Sequence, residues 1–209
     1  MVHEILPVGA LQCNCSIFGE DSSGEALVID PGDNVPEILD VVGRHGWKVK
    51  AIVITHAHID HIGGAQKLRN ATGAPVYMHE DDVEQLELLP LQAAWLGMRT
   101  PERTRIDVMA REGDKLAAAG EEFNFLHTPG HTRGSISLWV PGEKKLVAGD
   151  TLFRDGIGRT DLPGGDSRQI LASIREKLFA FPDDTIVIPG HGEQTTIGRE
   201  KAYNYFLRD

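Results

Sequence analysis

Hydrophobic residues along this chain fall into short runs punctuated by Gly, Pro and Asp, with two periodicities. Apolar alternation and β-rich composition predict strands over residues 3–8, 15–18, 26–29 and 49–54, then 76–78, 123–127, 136–140, 146–148 and 186–188. Val35, Ile38, Leu39, Val41 and Val42 recur at helical spacing and predict a helix over 35–45, opening after Asp33-Asn34 as a cap. Further helices are expected over 62–71, 167–179 and 198–207, while 84–98 is expected to be helical in part, interrupted by Pro90. The strands come in two groups interleaved with helices, and Asp30-Pro31-Gly32, Pro129-Gly130 and Pro141-Gly142 supply turns between them. This is an α/β pattern with helices covering sheets. With no low-complexity tract, charge block or Pro/Ser linker, one domain over residues 1–209 is expected.

Composition narrows the partners. A chain of 209 residues with 41% hydrophobic content can build a core without staples. No apolar run approaches the roughly 20 residues of a membrane span, and Met1–Pro7 is too short and interrupted for a signal peptide, so a cytoplasmic location is expected. The net charge of −10 argues against nucleic acid and against anionic lipid, leaving a small molecule as the expected partner. Cys13 and Cys15, the only cysteines, would share one face of a strand, where a disulfide is strained. They are expected as reduced, buried packing residues.

The chemistry concentrates where a hydrophobic strand ends at Thr55. His56, His58, Asp60 and His61 follow within six residues, and then Gly63-Gly64 lets the backbone pass close by and start a helix. Neutral imidazoles and a hard carboxylate are metal donors, and a tight loop can aim His56 and His58 at one ion and Asp60 and His61 at another. Without cations, clustered imidazoles would desolvate and repel one another. Two ions need more donors. His131, Asp150 and His191 each follow a predicted strand end and a glycine, in Pro129-Gly130-His131-Thr132, Ala148-Gly149-Asp150-Thr151 and Pro189-Gly190-His191-Gly192.

The run HAHIDH, followed in order by His131 in TPGHT, Asp150 in GDTLF and His191 in PGHG, resembles the metallo-β-lactamase superfamily over nearly the whole chain. The resemblance implies a four-layer αββα sandwich with a metal cleft at one edge. It also implies one metal held by His56, His58 and His131, another by Asp60, His61 and His191, and Asp150 bridging both. A bridging aspartate in GDTLF, together with Gly158-Arg159-Thr160-Asp161, resembles hydrolases of the glyoxalase II type; the second segment also resembles the sulfur dioxygenase branch.

Two divalent ions about 3.5–4 Å apart share a water and lower its pKa toward neutrality, so hydroxide attack on a carbonyl needs no separate strong base. Zinc is the expected metal, with iron or manganese suited to the same donors. Asp60 is expected to orient the nucleophile and relay its proton. A departing thiolate leaves with little protonation, which favours a thioester over an amide; the glyoxalase II resemblance implies S-lactoylglutathione or a similar hydroxyacyl thioester. With one helix beyond His191, the chain is expected to lack the helical C-terminal domain of full-length glyoxalase II, and the basic and tyrosine glutathione contacts of that family are not reproduced. Arg159 is open to two roles, binding a substrate carboxylate or pairing with Asp161 or Asp166. Thr55 and Thr132 are either hydroxyls supporting the ligands or turn formers. His127 is expected to orient a ligand or bond locally, His79 to be mainly structural, and His3 and His45 ordinary surface or packing residues. A mononuclear iron persulfide dioxygenase, a lactonase and a non-catalytic metal-binding or electron-transfer module are the competing expectations.

Overall fold

A computed structural model describes residues 1–208. The first six strands are β1 (Val2–Val8), β2 (Cys13–Glu20), β3 (Glu25–Ile29), β4 (Lys48–Val53), β5 (Val76–His79) and β6 (Val108–Ala110), which form one sheet in that order. β1, β2 and β3 pair antiparallel, and β3 to β6 pair parallel. Next come β7 (Lys115–Ala118), β8 (Glu121–His127), β9 (Ile136–Val140) and β10 (Lys145–Gly149), then a hairpin of β11 (Leu152–Phe153) and β12 (Gly156–Ile157), and finally β13 (Ile186–Pro189) and β14 (Thr195–Thr196). The second sheet has the order β14-β13-β10-β9-β8-β7.

Period-2 geometry explains the layering. On β3, Leu27 and Ile29 face a core shared with Phe123, Phe125, Leu138, Val147 and Ile188 of the second sheet. Their neighbours Ala26 and Val28 face the opposite way, against α1 (Val35–His45) through Val35, Ile38 and Val42. Leu146 and Val187 on the outer face of the second sheet pack on Ile170, Ile174 and Ile197, from the helical segment beginning at α5 (Ser167–Ala172) and from α6 (Ile197–Tyr203). Four layers result, helix on sheet on sheet on helix. Strands buried on both faces explain why several read as continuous apolar runs.

The helices depart from the sequence expectations in instructive places. Helical structure begins not at residue 62 but with the single turn α2 (Ile59–Ile62), breaks at Gly63-Gly64 and resumes as α3 (Ala65–Thr72). A Cβ on Gly64 would overlap the Pro31 carbonyl oxygen, so glycine there lets this segment pack against the Asp30–Gly32 turn. Pro90 opens α4 (Leu89–Leu96) rather than interrupting it, because the first helical turn has no use for its N–H. The segment before α4, Glu80–Leu88, is 3₁₀ helix. Asn34 occupies the N-cap position of α1 without capping it: its side-chain oxygen accepts from the Gly9 N–H instead. Among the described residues, no helix is long and apolar enough to cross a membrane.

Candidate metal centre

β8 and β10 both run antiparallel to β9, and β13 runs parallel to β10, so their C-terminal ends share one edge of the second sheet. His131, Asp150 and His191 follow those three ends. The loop after β4 brings His56 and His58 from the first sheet, and α2 carries Asp60 and His61. A backbone bond from Ile136 N–H to the Thr55 carbonyl, 2.9 Å, ties the β4 loop to the opposite sheet. All seven residues singled out as donors are thereby brought together.

They form two trios. His131 Nε2 lies 3.2 Å from His56 Nε2 and 2.9 Å from His58 Nδ1. His191 Nε2 lies 3.3 Å from His61 Nε2 and 3.1 Å from Asp60 Oδ2. Asp150 spans the two, with Oδ1 3.4 Å from His61 Nε2 and Oδ2 3.6 Å from His131 Nε2. Gly190 makes this approach possible, since a Cβ there would collide with Asp150 Oδ1.

The outer ring nitrogens establish what points inward. His131 Nδ1–H donates to the Arg159 carbonyl at 2.8 Å, and His191 Nδ1–H donates to the Leu11 carbonyl at 3.0 Å. His61 Nδ1–H donates to Asp30 Oδ2 at 2.8 Å. Thr55 Oγ1 gives its own proton to Asp30 Oδ2, so it accepts from His56 Nδ1–H at 3.1 Å. Four imidazoles thus present bare Nε2 lone pairs to one another, an arrangement that repels unless a cation sits among them. Tetrahedral donors about 2.0–2.1 Å from a zinc-sized ion stand roughly 3.3 Å apart, which is the spacing found. Asp150 Oδ1 is buried without a hydrogen-bond partner, an orphan acceptor of the kind a cation satisfies.

Electrostatics agree. Burial, reinforced by the neighbouring rings, holds His56 far below the usual imidazole range, and burial beside His131 brings His58 down to about 3. Both are neutral donors at pH 7. Burial works against charge on His61 too, but Cys13, Asp150, Asp60 and Asp30 outweigh it and shift His61 upward. The surrounding carboxylates therefore favour positive charge at this point. Asp60 resists ionisation through burial, yet His61 and His191 draw it well below the ordinary carboxylate range.

Several supporting residues escaped the sequence reading. Asp30, expected only as turn punctuation, is buried and also accepts from the Thr55 N–H at 2.7 Å. Asp82 accepts from Ala57 N–H, Thr132 Oγ1 and Gly134 N–H at 2.8, 2.8 and 2.6 Å, locking the His56–His58 loop to the His131 loop. An aspartate at the end of an apolar run was the available signal for Asp30; Asp82 sits among other acids and carries none. Thr55 touches His56, whereas Thr132 reaches Asp82 and Ser135, not a candidate ligand. Arg159 lines the cleft but pairs bidentately with Asp161 at 2.8 Å, while Asp166 caps α5. His127 stacks on His79, and its Nε2–H donates to the Arg133 carbonyl. His3 stacks on Phe18. Cys13 and Cys15 are free and buried, and burial pushes the Cys13 thiol up to about 12; Cys13 also lies 3.5 Å from His61 Nδ1, closer to the cluster than a pure packing role requires.

An αββα sandwich whose strand ends gather imidazoles and carboxylates into clusters able to hold a metal ion is the architecture of a metal-dependent hydrolase. A family model for the metallo-beta-lactamase superfamily matches residues 8–191, and the chain belongs to that superfamily. It is 41% identical to the hydroxyacylglutathione hydrolase GloC of Haemophilus influenzae over 206 residues, covering 98% of this chain and 97% of the relative. Among solved structures it resembles the BLEG-1 B3 metallo-beta-lactamase (TM-score 0.92, 36% identity, 100% of both chains). It also resembles TTHA1623 in a di-iron-bound form (TM-score 0.89, 36% identity, 98% of this chain and 100% of the other).

Proposed function

We propose that this hydrolase cleaves thioesters, hydroxyacyl thioesters such as S-lactoylglutathione among them, at a binuclear centre. His56, His58 and His131 would hold one divalent ion, Asp60, His61 and His191 the other, with Asp150 between them. The observation that carries this proposal is the convergence of bare imidazole lone pairs on two points spanned by one orphaned carboxylate. When bound, such an ion pair supplies a water acidified toward neutrality and an electrophile for the carbonyl oxygen. The donor set suits zinc first, and the di-iron relative supports iron as well.

Asp60, ionised and with Oδ2 3.1 Å from His191 Nε2, would accept a hydrogen bond from the attacking water, orient it and relay its proton onward. A thiolate leaving group, with an ordinary pKa of about 8–9, departs without a dedicated acid. The likeness to a relative named hydroxyacylglutathione hydrolase supports the thioester class. Because both sheets contribute donors, one domain over residues 1–209 belongs to the same proposal, and two free thiols support a reducing, cytoplasmic location.

The test is a panel of S-lactoylglutathione, simple thioesters, a homoserine lactone, a β-lactam and, with oxygen uptake, glutathione persulfide. Thioester turnover with two metal equivalents per chain is expected, and Asp150→Ala or His58→Ala should abolish turnover and empty at least one site with the fold retained. Unchanged hydrolysis in either variant, or turnover confined to the persulfide, overturns the proposal.

A further inference from the structure

α4 is apolar nearly all round, reading Leu-Pro-Leu-Gln-Ala-Ala-Trp-Leu. A helix of that composition is ordinarily enclosed. Only one side of α4 is: Leu89 and Ala93 pack into the core beneath it, while Leu91, Trp95 and Leu96 are 46%, 61% and 45% exposed. Leu88, the last residue of the 3₁₀ segment, is followed by Leu91 and Trp95 on α4 at i+3 and i+7, and the three line the same cavity. The cavity beside this stripe is about 400 Å³ and its floor is His58, Asp60, His131 and Asp150, with Leu11 and Leu162 on its other walls.

The wall is fixed in place. Gln92 Oε1 accepts from the Ile59 N–H at 2.9 Å, tying α4 to the turn that carries Asp60 and His61. Gln85 Nε2 donates to the Pro163 carbonyl at 2.6 Å and closes the rim beside Leu162. Among the described residues lining the cavity, Arg159 is the one cation, and its guanidinium is engaged by Asp161. A polar, anionic thiol carrier finds little to bind here; a hydrocarbon chain finds a continuous surface.

We infer that this site takes thioesters bearing an apolar chain, laid along Leu88, Leu91 and Trp95 while the carbonyl rests over the metal cluster. The inference rests on the thioester proposal for the reaction and adds its substrate class. Each methylene laid on the open wall, partly or fully removed from water, is worth about two- to fourfold in kcat/KM. A chain of six or more carbons should therefore outrun both acetyl and lactoyl thioesters by at least tenfold.

Two measurements decide it. The first compares kcat/KM for acetyl to octanoyl esters of N-acetylcysteamine thiol, for acetyl esters of methane- to octanethiol, and for S-lactoylglutathione; whichever series rises with length shows whether the chain belongs to the acyl or the thiol side. In Leu91→Gln and Trp95→Ala, both surface changes, the ratio of long- to short-chain kcat/KM should fall tenfold or more. The second follows tryptophan emission on titration with the octyl thioether of N-acetylcysteamine, which cannot be hydrolysed. A saturable blue shift absent in Trp95→Phe and not produced by S-methylglutathione is expected. Flat chain-length series with turnover intact, or no emission change, overturn the apolar-wall inference and leave the thioester proposal standing. Inactivity toward every thioester despite a clear emission shift overturns the thioester proposal, and this substrate class with it. A dimer that Trp95→Ala converts to monomer, with the length dependence unaltered, assigns the stripe to a second copy of the chain and overturns the inference.

Discussion

Asp30 shows how much can hang on one side chain. It stands at a backbone φ of +53°, a left-handed conformation that Asp tolerates better than most residues, and from there it serves Thr55 N–H, Thr55 Oγ1 and His61 Nδ1. Asp30→Ala leaves these buried donors unpaired and frees the His61 ring to turn. A loss of about 1–3 kcal/mol in urea unfolding is expected, with metal affinity about 10–100-fold weaker by competitive chelator titration. His3 sets an acid limit. Burial, with Lys145 adding to it, lowers its pKa from 6.5 to about 3. Between those values the unfolded chain binds a proton that the native state refuses, so stability rises with pH. The His3 contribution is complete above pH 6.5 and is lost as the pH falls toward 3. His3→Phe, which keeps the stack on Phe18, should flatten that part of the stability–pH curve measured by thermal unfolding.

Among the elements, the loops at strand ends matter more than the strands themselves. Asp82, on the 3₁₀ segment, fastens the loop after β4 to the loop after β8 through three hydrogen bonds. Asp82→Ala is expected to cost on the order of 3 kcal/mol in chemical denaturation, and to separate His56 and His58 from His131. Gly190→Ala places a methyl group against Asp150 and His61 and should abolish metal loading, measured by elemental analysis, while circular dichroism stays native. The elements visible in the pattern were β1 to β5, β8 to β10, β13 and α1. The short strands β6, β7 and β14 exist through pairing with a neighbour rather than through local preference, and no periodicity announces them. The Pro90 break was misplaced because proline serves a helix start as readily as an interruption.

For the whole molecule, the donors draw on both sheets, so a bound cation is a clamp across the sandwich. Any ligand that binds only the folded state stabilises it, by about 2.7 kcal/mol at a hundredfold excess over Kd. Stripping metal with chelator should lower Tm by about 5–10 °C in calorimetry, and restoring zinc or iron should recover it. An unchanged Tm would separate the cluster from any metal role.

The seven candidate donors were legible in the linear chain because metal chemistry demands particular side chains, and strand-end glycine contexts mark where such side chains can converge. Their order also carried the family resemblance, and the buried alternation carried the layering. Asp30, Asp82 and the carbonyls of Arg159 and Leu11 were not legible. Hydrogen-bond acceptors that orient a ring are defined by distance and angle, and an aspartate or a peptide carbonyl looks the same in sequence whether or not a histidine points at it. The apolar wall of α4 was hidden for a related reason. Its composition is that of a core helix, and only folding, by enclosing one side and leaving the other open above the metal cluster, distinguishes a surface that packs from a surface that binds.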